Sequence, residues 1–327
     1  MARAAVGLVH ILTAPEQIEV EPIMNEIERM TLLTRSPLWA IRPENLSGVL
    51  DSIVHGSRSA AGWEAVRPSQ RGEGKSKAAV IPVQGVLTKD GPRWLGNSYE
   101  SIGDSVEKAV ADASVKLIVM DVDSPGGEVT GLPEAASVIA QAAKVKPVSA
   151  LVSGQSASAA FWLTSQANDI TLTPSGEVGS VGVRMMHMDM SKNLEDQGIK
   201  VTELFSGDFK NEWSPFSPLT DGAKADMQSR LEDVHSDFVN AVAKGRGIRA
   251  TSDIQRSRFG EGRMLSAQDA LRGGLVDRLE SPHQFYKRVL TPATSRPDYG
   301  LPLSQQHELV EARLWLERAR LAAARRM

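Results

Sequence analysis

The chain contains no cysteine, which excludes disulfides, thiolate nucleophiles and cysteine-ligated metal and fits a reducing compartment. It also has no apolar run approaching the roughly 18 residues that a membrane span needs. The opening stretch "MARAAVGLVHILTAPEQ" carries a short apolar patch interrupted by His10 and lacks a small-residue cleavage site, so it is read as no signal peptide. Excess charge of one sign is missing too. Lys+Arg 37 against Asp+Glu 40 leave a net charge of -3, and neither nucleic acid nor an acidic membrane surface is an expected partner. There are only six histidines, and they are scattered, so bases for proton transfer are scarce. No internal repeat or long low-complexity segment is visible.

What the chain does have is enough apolar material, 41% of 327 residues, to fill a sizeable core. Residues 1–75 read as a partly helical extension ("PIMNEIERMTLLTR", "PENLSGVLDSIVHG") that ends in the polar, basic linker "RPSQRGEGKSK". From 76 to 280 the pattern changes to strand–helix alternation. "AAVIPVQGVL", "KLIVMDVDSPGG", "PVSALVSG" and "DITLTP" read as strands, the second ending in a Gly-rich turn, with helices at "SYESIGDSVEKAVADA" and "VTGLPEAASVIAQAAK". Near-continuous Val/Ile/Leu in the strands predicts an α/β domain with a largely parallel, covered sheet. A long amphipathic helix follows, with Met227, Leu231, Val234, Phe238 and Val242 at helical spacing. Residues 281–327 read as a helical tail carrying Arg313, Arg318, Arg320, Arg325 and Arg326, a solvated or oligomer-packing helix or a docking element for a partner.

In an open α/β sheet, ligands bind at the carboxyl ends of the strands. Two stretches there could do chemistry. In "DSPGGEV" (Asp123–Val129), Pro125 fixes one dihedral while Gly126 and Gly127 free the backbone to aim N–H groups at an oxyanion; an ordinary tight turn would use the same residues. In "SGQSASAAFWLTSQAN" (Ser153–Asn168), a strand gives way to a helix. Ser158 among Ala157, Ala159 and Ala160 could expose a nucleophilic hydroxyl beside unsatisfied N–H groups, or be structural filler, with Ser156 the helix cap. A serine needs a base. Lys210, in "SGDFKNEWSPF" near Phe209, Trp213 and Phe216, could serve if apolar burial disfavours its ammonium; without burial it is a surface charge. His187, among three methionines, is the other base within reach of a strand end.

Taken together and in order, "AAVIPVQGVL", "DSPGGEVTG", "SGQSASAAFWLTSQANDITLTPSGEVGSVGV", "SGDFKNEWSPFSPLTD" and "EGRMLSAQDALRGGLVDRL" resemble the S49 peptidases, the signal-peptide-peptidase-A-like serine proteases. Upstream, "PLWAIRPENLSGVLDSI" resembles the phage-encoded head-maturation branch related to the lambda capsid protease. The resemblance implies a crotonase/Clp-like spiral of repeated ββα units, assembled as a homo-oligomeric ring or dome with Ser and Lys from neighbouring subunits. It implies Ser158 as nucleophile, Lys210, 52 positions on, as general base, and Gly126, Gly127 and Ala159 as oxyanion donors. Where the family commonly has Gly-Gly-Tyr after the serine, this chain has Ala159, Ala160, Phe161 and Trp162. No metal or organic cofactor is implied. Expected substrates are scaffold, capsid or portal proteins, and possible self-cleavage is included, inside a procapsid in the host cytoplasm. The competing readings are a bacterial cytoplasmic S49 peptidase degrading peptides, a Clp-type Ser/His protease using His187, an acyl-CoA enzyme of crotonase fold, and a silent assembly protein.

Overall fold

The structure, a computed structural model, describes residues 38–41, 68–71, 77–91, 96–248 and 259–290. The helices expected around 22–35, 43–56 and 304–327 lie outside the described residues. Among the described residues the sheet has ten strands: β1 (Leu38–Ile41), β2 (Ser69–Arg71), β3 (Lys77–Leu87), β4 (Val115–Glu128), β5 (Val148–Ala157), β6 (Asp169–Leu172), β7 (Glu177–Gly179), β8 (Arg184–Met185), β9 (Met264–Ser266) and β10 (Arg278–Leu279). The helices are α1 (Tyr99–Ala111), α2 (Leu132–Val145), α3 (Ala159–Thr164), α4 (Ser191–Asp196), α5 (Asp221–Gly245), α6 (Ala267–Arg272) and α7 (Pro282–Leu290).

The expected alternation is present. β3, β4, β5, β6 and β10 pair in parallel, and α1 and α2 are the crossovers. Ser98 caps α1 by accepting the Ser101 amide, and Tyr99, Ile102, Val106, Ala109 and Val110 form the stripe that α1 buries. α2 starts after Gly131, whose φ of 85° suits a residue without Cβ, with Pro133 in its first turn. These helices and α3 cover one sheet face, over Ile81, Val83, Ile118, Met120, Ala150 and Val152. On the other face Phe285 and Val289 of α7 pack against Ala78, Val80, Leu117, Val119 and Leu151. Full burial of a side chain such as Phe285 contributes about 2 kcal/mol.

The long strands change partners midway. β4 shifts register against β5 between Val122 and Ser124 and last pairs with it at Ser124–Ser156; from Gly126 β1 is its neighbour, and β7 likewise replaces β6 beside the end of β5. Each long strand thus serves as two strand segments followed by a helix, the ββα repeat expected of the fold.

Three expectations change. The Gly126–Gly127 stretch is not a turn: β4 runs straight through to Glu128, because pairing with β1 and β3 on both sides outweighs local turn propensity. β5 likewise continues to Ala157, so the helix that follows is only the six residues of α3. The boundaries at 75 and 280 are also crossed by structure. β1 and β2 belong to the sheet, α7 closes its far face, and the Arg71 guanidinium sits 4.1 Å over the Tyr286 ring.

Candidate active site

β5 delivers Ser158 at its carboxyl end, and α3 begins at the next residue. The junction is sharp: Ser158 has φ 54 and ψ -120, a left-handed conformation that costs a non-glycine residue about 1–3 kcal/mol and persists only where surroundings impose it. They do. The Ser158 amide donates to Gly179 O at 2.8 Å, its carbonyl accepts the Trp162 amide at 3.0 Å, and Ala159 to Leu163 are all buried, with Trp162 stacked on Phe238 of α5 at 4.8 Å. Ser158 is the N-cap of α3, yet its hydroxyl makes no capping bond. Its Oγ instead donates to Gly182 O at 3.3 Å, a long contact that leaves the hydroxyl available. Ala159, as first residue of the helix, has an amide with no acceptor inside it.

Ser156, expected as the cap, is not one. It lies within β5, fully buried, with its Oγ 3.0 Å from Thr164 Oγ1. Ser158 itself departs from the expected exposed hydroxyl: it is 1% exposed.

The two glycines are required by close approach. A Cβ on Gly127 would stand 1.7 Å from Leu87 O. One on Gly126, whose φ is 103, would stand 2.1 Å from Ala40 O and 3.0 Å from both Ala157 O and Ser158 Cβ. The glycines therefore lie beside the serine as expected, but the Gly126 amide is already donated to Ser124 Oγ at 3.1 Å. Ser124 Oγ in turn donates to Gly85 O at 2.6 Å, tying the register shift of β3 to that of β4.

Lys210 lies elsewhere. It is exposed in a turn held by its amide to Gly207 O at 3.1 Å, and among the described residues no hydrogen bond or ion pair joins it to Ser158. The apolar setting expected for it is not formed within one chain, since Phe209 is 76% exposed and Phe216 40%. The surrounding segment is held by Glu203, which accepts from Ser214 Oγ at 2.7 Å and Asn211 Nδ2 at 3.1 Å, and by Trp213 beneath Arg230 of α5. His187 is committed to Ser214 O at 2.9 Å, with no described bond to Ser158. No described helix is long and apolar enough to cross a membrane.

Two features were missed in the sequence. One is a cavity of about 660 Å³ lined by Trp39, Ile41, Ser180, Gly182, Arg184, His235 and Phe259 among others; it adjoins the carbonyl that the Ser158 hydroxyl meets. The other is β1, which covers the glycine edge. The signal for β1 was a four-residue apolar run, "LWAI", too short to stand out between polar flanks.

A serine forced into a left-handed elbow at the head of a helix, with paired glycines alongside, is an arrangement that a nucleophilic hydrolase can use. Residues 140–294, a little under half of the chain, match the model of peptidase family S49. It is similar to the capsid assembly protease C of Escherichia phage lambda, 33% identical over 62% of this chain and 46% of that protein. It is also similar to the head-tail preconnector protein GP5 of Enterobacteria phage P21, 30% identical over 62% and 40%, and to Protease 4 of Haemophilus influenzae, 25% identical over 68% and 36%. The matched segments thus span less than half the length of each of these relatives. Among solved structures, the 1510-N membrane-bound stomatin-specific protease aligns with TM-score 0.40, 14% identity and coverage of 64% of this chain and 82% of that one. An enoyl-CoA hydratase from Polaromonas sp. JS666 aligns with TM-score 0.39, 15% identity and coverage of 69% and 74%.

Proposed function

We propose that the chain is a serine endopeptidase working through a Ser/Lys dyad, with Ser158 as nucleophile and Lys210 as general base. The observation that carries this reading is the Ser158 elbow: a strained serine whose hydroxyl makes no capping bond and, among the described residues, meets one carbonyl at 3.3 Å. Neutral Lys210 takes the Ser158 proton as Oγ attacks the scissile carbonyl, and the oxyanion is received by the amides of Gly127 and Ala159, Gly126 being committed to Ser124. The protonated lysine then gives its proton to the leaving amine. Deprotonated again, it activates the water that hydrolyses the acyl-enzyme.

An exposed Lys210 among outward-facing Leu204, Phe205 and Phe209 supports completion of the site by a second copy of the chain, as the family resemblance implies. Apolar contact with that copy would also supply the desolvation a lysine base needs. Likeness to the capsid assembly protease and the preconnector protein supports scaffold or capsid proteins as substrates in procapsid maturation. Likeness to Protease 4 favours a second reading, general peptide degradation.

The test is co-production of the chain with its neighbouring capsid or scaffold proteins, wild type against Ser158→Ala and Lys210→Ala, with intact-mass measurement of every product. Defined truncations lost in both variants are expected. Truncations that persist in Ser158→Ala would refute the assignment. Cleavage of unrelated peptides with no truncation of capsid proteins would select the second reading.

A further inference from the structure

β1 is a short strand added at the glycine end of the sheet. It inserts between the glycine end of β4 and β8, antiparallel to both: Trp39 faces Glu128, Ala40 faces Gly127 and Ile41 faces Gly126 on one side, while Trp39 faces Arg184 on the other. An added strand of this kind recognises its host through main-chain hydrogen bonds, with alternate side chains sorted to opposite faces. The sorting is visible here. Trp39 and Ile41 line the cavity of about 660 Å³, whereas Ala40 turns inward and is fully buried in the core that contains Ala159 and Ala160. The Ala40 carbonyl oxygen and Ser158 Cβ crowd the same point above Gly126. With this strand seated, Ser158 on its strained elbow is 1% exposed.

We propose that Leu38–Ile41 is an internal occupant of the substrate groove, a plug that covers Ser158 and must withdraw before a substrate strand can enter. The proposal rests on the reading of Ser158 as nucleophile. It also assigns the groove's preference: a small residue where Ala40 sits, flanked by bulky apolar residues whose side chains face the cavity. The substrate class is then an extended segment with a bulky–small–bulky apolar pattern, docked antiparallel to Gly126–Glu128.

The test uses the full chain in two forms. In the first, Ala40→Arg puts a long charged side chain into a position with no room for it. Amide exchange at Gly126–Glu128 and at Arg184–Met185 is expected to speed up while the protection of α2 is retained. The rate at which a fluorophosphonate labels Ser158 is expected to rise about tenfold to a hundredfold, the factor by which a plug seated 90–99% of the time taxes access. The second form exploits the absence of native cysteine. Trp39→Cys with Arg184→Cys, facing each other in register, locks the strand in place when oxidised. Oxidised protein is expected to resist labelling and reduced protein to regain it. Equal labelling of the oxidised and reduced pair, or unchanged labelling in Ala40→Arg with faster exchange, overturns the plug. Absence of labelling in every form would instead overturn Ser158 as nucleophile, and the exchange rates would then still decide whether β1 leaves the groove: unchanged exchange in folded Ala40→Arg overturns its withdrawal.

Discussion

Ser158 stands at a junction whose neighbours are buried, whereas Lys210 rides on a segment whose apolar side chains face outward, with Leu204 94% exposed and Phe209 76%. The first region is rigid by construction: a nucleophile must be held within a fraction of an ångström, and a packed core does so. The second exposes apolar side chains of the kind that interfaces use. On the proposed reading, one chain would prebuild the nucleophile and its oxyanion amides and leave the base to be placed by assembly. Activity in such a design would be switched on by association.

The largest effects should fall on the buried side of the comparison. Ser158→Ala is expected to lower peptide cleavage by about a thousandfold or more. Ser156→Ala should keep most of the activity and lose about 1 kcal/mol of stability with the Thr164 hydrogen bond, checked by cleavage assay and urea melt. If Ser156 proved essential instead, the elbow would be assigned to the wrong residue. On the exposed side, Lys210→Ala is expected to cost about a hundredfold to ten-thousandfold in kcat with no change in Tm, because the side chain is solvent-exposed in the isolated chain. Phe209→Ser should shift sedimentation toward monomer and reduce activity in proportion, leaving the monomer's Tm unchanged.

These contrasts mirror what was legible in the sequence. Strands β3 to β6 announced themselves through Val/Ile/Leu runs, and the serine junction and glycine pair through motif and spacing, although the contacts that hold them come from Leu87, Ala40, Gly179 and Phe238. What escaped notice depends on partners distant in sequence. β4 passes through Pro125-Gly126-Gly127 only because β1 and β3 pair with it on both sides, and β1 is a strand only because β4 and β8 receive it. Ser156 reads as a cap until β5 is seen to extend one residue past it, and no local signal reveals that Lys210 lies exposed, with Phe209 beside it facing outward.

A smaller pair of effects sharpens the packing argument. Gly127→Ala would drive a methyl into the Leu87 carbonyl and should destabilise the fold by about 3 kcal/mol. Gly222→Ala, in the first turn of α5 with nothing within 4 Å of the new Cβ, should stabilise by about 0.5–1 kcal/mol. Chemical denaturation of the two variants checks both signs.

The smallest expected effect concerns Asp121 and Asp123 on β4. Burial pushes both carboxyls above the ordinary aspartate range, partly offset at Asp121 by Arg71 and at Asp123 by the Gln155 amide. The folded state then holds these protons more tightly than the unfolded chain, so their ionisation destabilises the protein at neutral pH, and that penalty fades as pH falls through the raised values. Asp121→Asn should therefore raise Tm slightly at pH 7, with the advantage over wild type narrowing on acidification.

The most direct test of the account is complementation between two inactive variants. Ser158→Ala and Lys210→Ala are co-expressed, each tagged, and the mixed assemblies are purified and assayed for peptide cleavage. If the serine and lysine of one site come from neighbouring copies, random mixing restores about a quarter of the wild-type sites, from two chains each inactive alone. Mixed assemblies that form but show no activity would contradict the account, placing both residues of each site in the same chain or removing Lys210 from the chemistry.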